Sequence, residues 1–250
     1  MSTLRAVVFD TDGVLLDSAV LHAAAWKMAF DGCLDDWAKA GVRQPPFDAE
    51  REYRDLVDGK SRADGAQAFL TARHIALPVG TPDDSPGCGT VWAVASRKEE
   101  TFMEMLRTRA VAPFDDVRPA LIRLRDQGIR CAAVSASRHA RPLLRAAGLV
   151  GLMDALVDGS DAGRLALAGK PDPALFLEAA HRLGVAPARA AVVEDALAGV
   201  EAGRRGRFRL VVGIDRTRGE RAAACLRAHG ADVVFPDLLA VAEAVCGAGR

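Results

Sequence analysis

Asp10 and Asp12 stand two residues apart in the run Phe9-Asp10-Thr11-Asp12-Gly13, where an apolar stretch ends. Further along, Ser135 and Ser137 follow a second apolar stretch, Lys170 precedes a proline, and Glu194 and Asp195 close a third stretch. Four carboxylates brought together repel one another unless a cation joins them, and hard oxygen donors in open geometry suit Mg²⁺. An oxygen-bound dication beside a lysine and small hydroxyls is a set suited to phosphate. Taken singly, each fragment also has an ordinary explanation. The D-x-D-G run can be a turn with Asx hydrogen bonds, and Glu194 and Asp195 can be helix-capping acids. Their shared position along the chain is what argues for chemistry.

An alternation of strands and helices sets that position. Apolar runs at residues 4–10, 129–135, 190–195, 208–215 and 232–235 predict strands. Residues 118–127, 138–147, 172–183, 197–204 and 216–229 carry the apolar spacing of amphipathic helices, and Gly128, Gly148 and Gly184 fall where helix C-caps belong. Continuous apolar strands alternating with helices predict an α/β fold, a Rossmann-like parallel sheet covered on both faces. Ligands of such sheets sit beyond the C-terminal strand ends, which is where the acids and serines above fall. Residues 18–109 break the rhythm. There, 21–30, 62–73 and 96–109 read as helices, no strand is evident, and 77–90 is a Gly- and Pro-rich loop. The expected organisation is an α/β catalytic core of residues 1–17 and 110–250, with a helical cap, 18–109, inserted after the first strand.

Composition narrows the function classes. With 250 residues, the chain fits one large domain or a core with a smaller one. Lys and Arg together number 33, as do Asp and Glu, so there is no bulk charge for nucleic acid or an anionic membrane surface. No apolar run approaches the roughly 18–20 residues of a membrane span. The first apolar run begins at Leu4, which leaves no room for a signal peptide. Cys33, Cys88, Cys131, Cys225 and Cys246 are scattered and odd in number, matching neither a zinc site nor a disulfide framework. A soluble cytoplasmic monomer acting on a small molecule is expected. Only five of the cations are lysines, so Lys98 and Lys170 draw notice as places where a compact point charge is wanted. His74, His181 and His229 sit on helical faces and read as bland. The basic run 204–209 reads as a helix C-terminus favoured by its dipole.

The motifs resemble those of the haloacid dehalogenase superfamily of phosphotransferases, over nearly the whole chain. F-D-T-D-G-V-L-L-D-S from Phe9 looks like its first motif, V-S-A-S from Val134 its second, G-K-P-D-P from Gly169 its third, and V-E-D-A-L-A-G from Val193 its fourth. Within that superfamily the chain resembles the β-phosphoglucomutase branch. His22 and Trp26 stand where that branch carries a hinge histidine and a tryptophan. Gly59-Lys60-Ser61-Arg62 resembles a cap loop whose arginine grips a distal phosphate, and Arg97-Lys98 a cap-helix pair whose lysine faces the site. His139 stands where the mutases usually carry an Asn that touches phosphate; a histidine can still donate a hydrogen bond. Loop 77–90 is longer than in compact relatives.

The resemblance implies conversion of β-glucose 1-phosphate to glucose 6-phosphate through an aspartyl phosphate and a 1,6-bisphosphate; a sugar-phosphate phosphatase is the alternative. It implies Asp10 as nucleophile, Asp12 as general acid–base, and Ser135 and Lys170 on the phosphoryl oxygens. The metal set would be Asp10, the Asp12 carbonyl, Glu194 and Asp195. His22, Trp26, Gly59, Arg62, Lys98, Ser137 and His139 would contact substrate.

Overall fold

The structure is a computed structural model that describes residues 4–41, 43–217 and 219–247. Two compact units divide the chain: residues up to Asp17 with those from Ala112 onward, and the intervening Ser18–Val111.

The first unit is built on six parallel strands: β1 (Ala6–Asp10), β2 (Arg130–Val134), β3 (Ala155–Val157), β4 (Ala190–Glu194), β5 (Leu210–Ile214) and β6 (Val233–Phe235). They lie in the order β3-β2-β1-β4-β5-β6. All five residues of β1 are buried, because strands pair with it on both edges and helices cover both faces. The register sets Asp10 opposite Val134 and Phe9 opposite Val193. β1 therefore stands where the strand order reverses, the crevice position of doubly wound sheets. On one face, Leu175, Phe176, Ala179 and Leu183 pack with Val8, Val134 and Val192 in a closed apolar cluster.

The α/β expectation is met, with differences at the ends of elements. The sequence reading omits β3, a three-residue edge strand. It also omits the helix Gly159–Leu165, which Asp158 and Asp161 cap reciprocally, and the C-terminal helix Leu238–Gly247. The helix expected from residue 216 begins at Glu220. Thr217 instead gives its N–H and its hydroxyl to Asp215 Oδ1, at 3.0 and 2.6 Å, and Arg216 is committed elsewhere. Gly128, Gly148 and Gly184 take positive φ, as C-cap positions require.

The second unit holds α1 (Ala19–Lys39), α2 (Arg62–Ala72) and α3 (Val91–Thr108), with one turn of π-helix at Tyr53–Val57 and no strand among its described residues. α3 starts five residues before its expected position, because the Thr90 hydroxyl caps it by accepting from the Ala93 N–H at 2.9 Å. Aromatic rings form the centre: Phe30 stacks on Trp26 and Phe69, with centroids 4.7 and 3.8 Å away, and Phe47 meets both Phe30 and Phe69. The expectation that the cysteines form no disulfide is corrected here. Cys33 of α1 is bonded to Cys88, 55 residues on, with Cα atoms 5.3 Å apart. Spacing does not reveal the pair, since it joins a helix to a long loop that only folding brings together. None of the described helices is long and apolar enough to cross a membrane.

Candidate active site

Two strand ends of the first unit gather the acidic groups. Asp10 closes β1, Glu194 closes β4, and Asp195 follows it; one carboxylate oxygen from each lies within 4.8 Å of the others. Asp10 and Glu194 are buried while Asp195 is partly open. Two glycines make this crowding possible. A Cβ on Gly199 would collide with the Glu194 carboxylate, and one on Gly13, whose φ is +82°, would collide with that of Asp195.

Lys170, whose peptide bond to Pro171 is cis, reaches the cluster from the loop ahead of the helix Ala174–Leu183. Its ammonium donates to Asp10 Oδ1 and, at 2.6 Å, to Glu194 Oε2. Glu194 Oε1 accepts the Ala196 N–H at 3.0 Å, which fixes the other end of that carboxylate. Burial alone would pull the lysine down, but the charges of Asp10 and Glu194 outweigh it, and its pKa stands above the ordinary lysine value. Asp10 is pushed above the usual carboxylate range, first by burial and then by the charge of Glu194, with Lys170 only partly offsetting them. Three carboxylates against one ammonium leave excess negative charge in a buried place. Hard oxygen donors with that excess fit a divalent cation such as Mg²⁺.

Asp12 lies on the loop beyond β1, where Oδ2 accepts the Ser135 hydroxyl at 2.8 Å. The Ser137 N–H donates to Ser135 Oγ at 3.0 Å, and the His139 N–H to Ser137 Oγ at 3.2 Å. This ladder carries order from β2 to the first turn of the helix Ala140–Ala146, of which His139 is the N-cap. Thr11, buried between the two aspartates, donates its hydroxyl to the Val134 carbonyl at 2.9 Å and ties the β1 loop to the end of β2.

The expected residues of the second unit form their own group. Lys98 is buried on α3, with Nζ 2.9 Å from His22 Nδ1 and 4.4 Å from the centroid of Phe102, which also stacks on His22 at 4.1 Å. Trp26 is a core residue whose ring lies 5.7 Å from the Lys98 ammonium. Arg62, first residue of α2, faces Glu99 at 3.5 Å and the Trp92 ring at 5.7 Å. Gly59 takes φ +71° in the loop ahead of α2.

One residue escaped the sequence reading. The Arg216 guanidinium donates to the carbonyls of Gly13 and Val14, at 3.1 and 2.7 Å, and so holds the loop that follows Asp12. It packs 3.6 Å from the Phe114 ring centroid. Its position just beyond β5 was the available signal, the same strand-end logic that found the acids.

A family model described as haloacid dehalogenase-like hydrolase matches residues 4–207. The chain is 45% identical over 236 residues to the β-phosphoglucomutase of Mycobacterium bovis, covering 94% of this chain and 90% of that one. It is 30% identical to the β-phosphoglucomutase of Bacillus subtilis, over 80% and 78% of the two chains. Among solved structures, the β-phosphoglucomutase of Clostridium difficile superposes with a TM-score of 0.72 at 20% identity, covering 99% of each chain, which is a likeness of fold.

Proposed function

Because the chain belongs to the haloacid dehalogenase-like hydrolase family, we propose that it is a β-phosphoglucomutase: it converts β-glucose 1-phosphate to glucose 6-phosphate by way of a phosphorylated Asp10. Support for the reaction class comes from the Lys170 ammonium bonded to both Asp10 and Glu194 beside the Asp12–Ser135 pair. Support for the substrate class comes from the mycobacterial relative. Asp10, Glu194, Asp195 and the Asp12 carbonyl would hold a Mg²⁺, which would neutralise charge on the transferring group.

In the first half-reaction, the substrate's 6-hydroxyl oxygen attacks the phosphorus carried by Asp10. The new O–P bond forms as the bond to the Asp10 carboxylate breaks, and Asp12 takes the hydroxyl proton. The resulting 1,6-bisphosphate then presents its other phosphate. Asp10 attacks that phosphorus, the bond to the sugar oxygen breaks, and Asp12 returns the proton to the leaving oxygen as glucose 6-phosphate departs. Lys170 keeps Asp10 pointed for in-line attack and holds positive charge where the equatorial oxygens gather it; Ser135 orients Asp12 and offers a hydroxyl to the same oxygens. For the second unit we propose a cap role, with Arg62 and Lys98 gripping the distal phosphate, His22 coupled to Lys98, and Ser137 and His139 of the first unit binding substrate. The reading places the enzyme in the cytoplasm.

The test supplies β-glucose 1-phosphate, Mg²⁺ and a trace of glucose 1,6-bisphosphate while following glucose 6-phosphate and free phosphate together. Glucose 6-phosphate with little free phosphate is expected. Free phosphate matching substrate loss, with no isomer formed, overturns the mutase and leaves a sugar-phosphate phosphatase.

A further inference from the structure

The Cys33–Cys88 bond of the second unit sits beside a cation. Arg97 Nη1 on α3 lies 3.0 Å from Cys88 Sγ and 3.9 Å from Cys33 Sγ. The guanidinium reaches this place because residue 32 is a glycine; a Cβ there would strike Arg97 Nη2. Asp36 is the acidic neighbour, its Oδ2 3.5 Å from Arg97 Nη1 and 3.8 Å from Cys88 Sγ. A disulfide is neutral and gains little from a nearby cation, whereas a thiolate gains much. Arg97 therefore favours the opened state over the closed one, an unneeded arrangement for a purely structural staple.

The two sulfurs also differ in access. Cys33 is fully buried in the middle of α1, while Cys88 is half-buried in the irregular stretch ahead of α3. That stretch keeps other ties when the bond is open. Val91 and Trp92 donate backbone bonds to Pro78 and Val79 at 3.0 and 3.1 Å, and Trp37 Nε1 donates to the Cys88 carbonyl at 3.1 Å.

We propose that Cys33 and Cys88 form a reversible thiol–disulfide exchange site for small disulfides and thiols of the glutathione class. In it Cys88 is the exchanging sulfur, Cys33 the resolving sulfur, and Arg97 the cation that stabilises the thiolate. Closing proceeds in two displacements. The Cys88 thiolate attacks one sulfur of the small disulfide; an S–S bond to Cys88 forms, and the other half leaves as a thiolate that takes a proton from water. Cys33 gives its proton to water and attacks Cys88 Sγ, expelling the second small thiolate. The two protein thiols are oxidised and one small disulfide is reduced to two thiols. Opening is the reverse.

The test equilibrates the folded protein in buffers of graded reduced-to-oxidised glutathione ratio, quenches with acid, alkylates and maps the modified cysteines by mass. Cys33 and Cys88 are expected to gain and lose label together through one reversible transition. The variant Cys33→Ser is expected to accumulate glutathione on Cys88, and Cys88→Ser to accumulate little on Cys33. Removing a charge that shifts a thiol by about one pH unit changes thiolate population about tenfold, and nucleophilicity about threefold the other way, so Arg97→Gln should slow closing about threefold. Arg97→Lys should restore the rate. A bond that stays closed in every buffer until the protein unfolds overturns the proposal, as does a pair that stays open in all of them. Equal glutathione capture by the two single variants overturns the assignment of Cys88.

Discussion

Arg216 and Asp116 form a two-point ion pair, Nη1 to Oδ1 at 2.9 Å and Nη2 to Oδ2 at 3.3 Å, and Asp116 Oδ2 also accepts the Leu238 N–H at 2.6 Å. The same guanidinium holds the carbonyls of Gly13 and Val14. One planar fork thus joins the loop after Asp12, the chain just ahead of the helix Val117–Asp126, and the start of the C-terminal helix. Lysine, a point charge, cannot reproduce that geometry. Arg216→Ala should cost about 2–3 kcal/mol in denaturant unfolding, since it strands a largely buried carboxylate and two carbonyls. Arg216→Lys should recover less than half of that.

Asp12 is the proposed proton carrier, and its side chain is oriented by Ser135. Asp12→Ala should lower turnover of β-glucose 1-phosphate by about 10²–10⁴-fold, the usual worth of a general acid–base, with the unfolding midpoint little changed. Unaltered turnover would remove Asp12 from the mechanism. Ser135→Ala should cost less, because it loosens Asp12 without removing it.

Gly199 is the clearance for Glu194. In Gly199→Ala the added methyl meets the carboxylate head, so Glu194 must leave the ammonium of Lys170 or the helix Leu197–Arg205 must shift. A loss of about 1–3 kcal/mol is expected from overpacking, and turnover should fall at least about tenfold, since a misplacement near 1 Å at the chemistry costs more than that. Thermal unfolding and a steady-state assay on the same preparation measure the two effects separately.

Asp161 is held well below the usual carboxylate range, chiefly by its bond to Arg182; burial opposes this, and Arg164 adds to it. A carboxyl depressed by folding contributes stability that is fully present above its unfolded value, about 3.9, and is lost as pH falls through the folded value. Asp161→Asn should therefore unfold more easily at neutral pH. The difference from the wild-type protein should narrow once pH drops below about 4. A gap independent of pH would mean that the substitution acts through packing.

What could be read from the sequence followed the range of the interactions. Strands such as Ala6–Asp10 and Ala190–Glu194 are buried on both faces, so their apolar runs are continuous and visible. β3 has only three residues and one partner, too short a run to stand out. The helix Leu238–Gly247 lacks a polar stripe, so its period is faint. The placement of Asp10, Ser135 and Glu194 at strand ends was legible because their apolar runs mark where the strands stop. Arg216 stood at a strand end and could have been noticed there, but its partners, the Cys33–Cys88 pair, and the clearances at Gly13 and Gly199 depend on atoms brought together across the fold. No local spacing encodes such contacts.

The strand that carries Asp10 takes both of its neighbours from far along the chain, since Ala6 pairs with Arg130 on one edge and Ala190 on the other. During synthesis, that apolar segment leaves the ribosome long before either partner exists. The second unit is one continuous segment, Ser18–Val111, so all of it is made while β1 is still unpaired. Such long-range pairing makes for slow folding and a lengthy exposure of a sticky edge. The residue proposed to do the chemistry is thus made before both of the strands that seat it, and chaperone demand should fall on the nascent chain before β4 emerges.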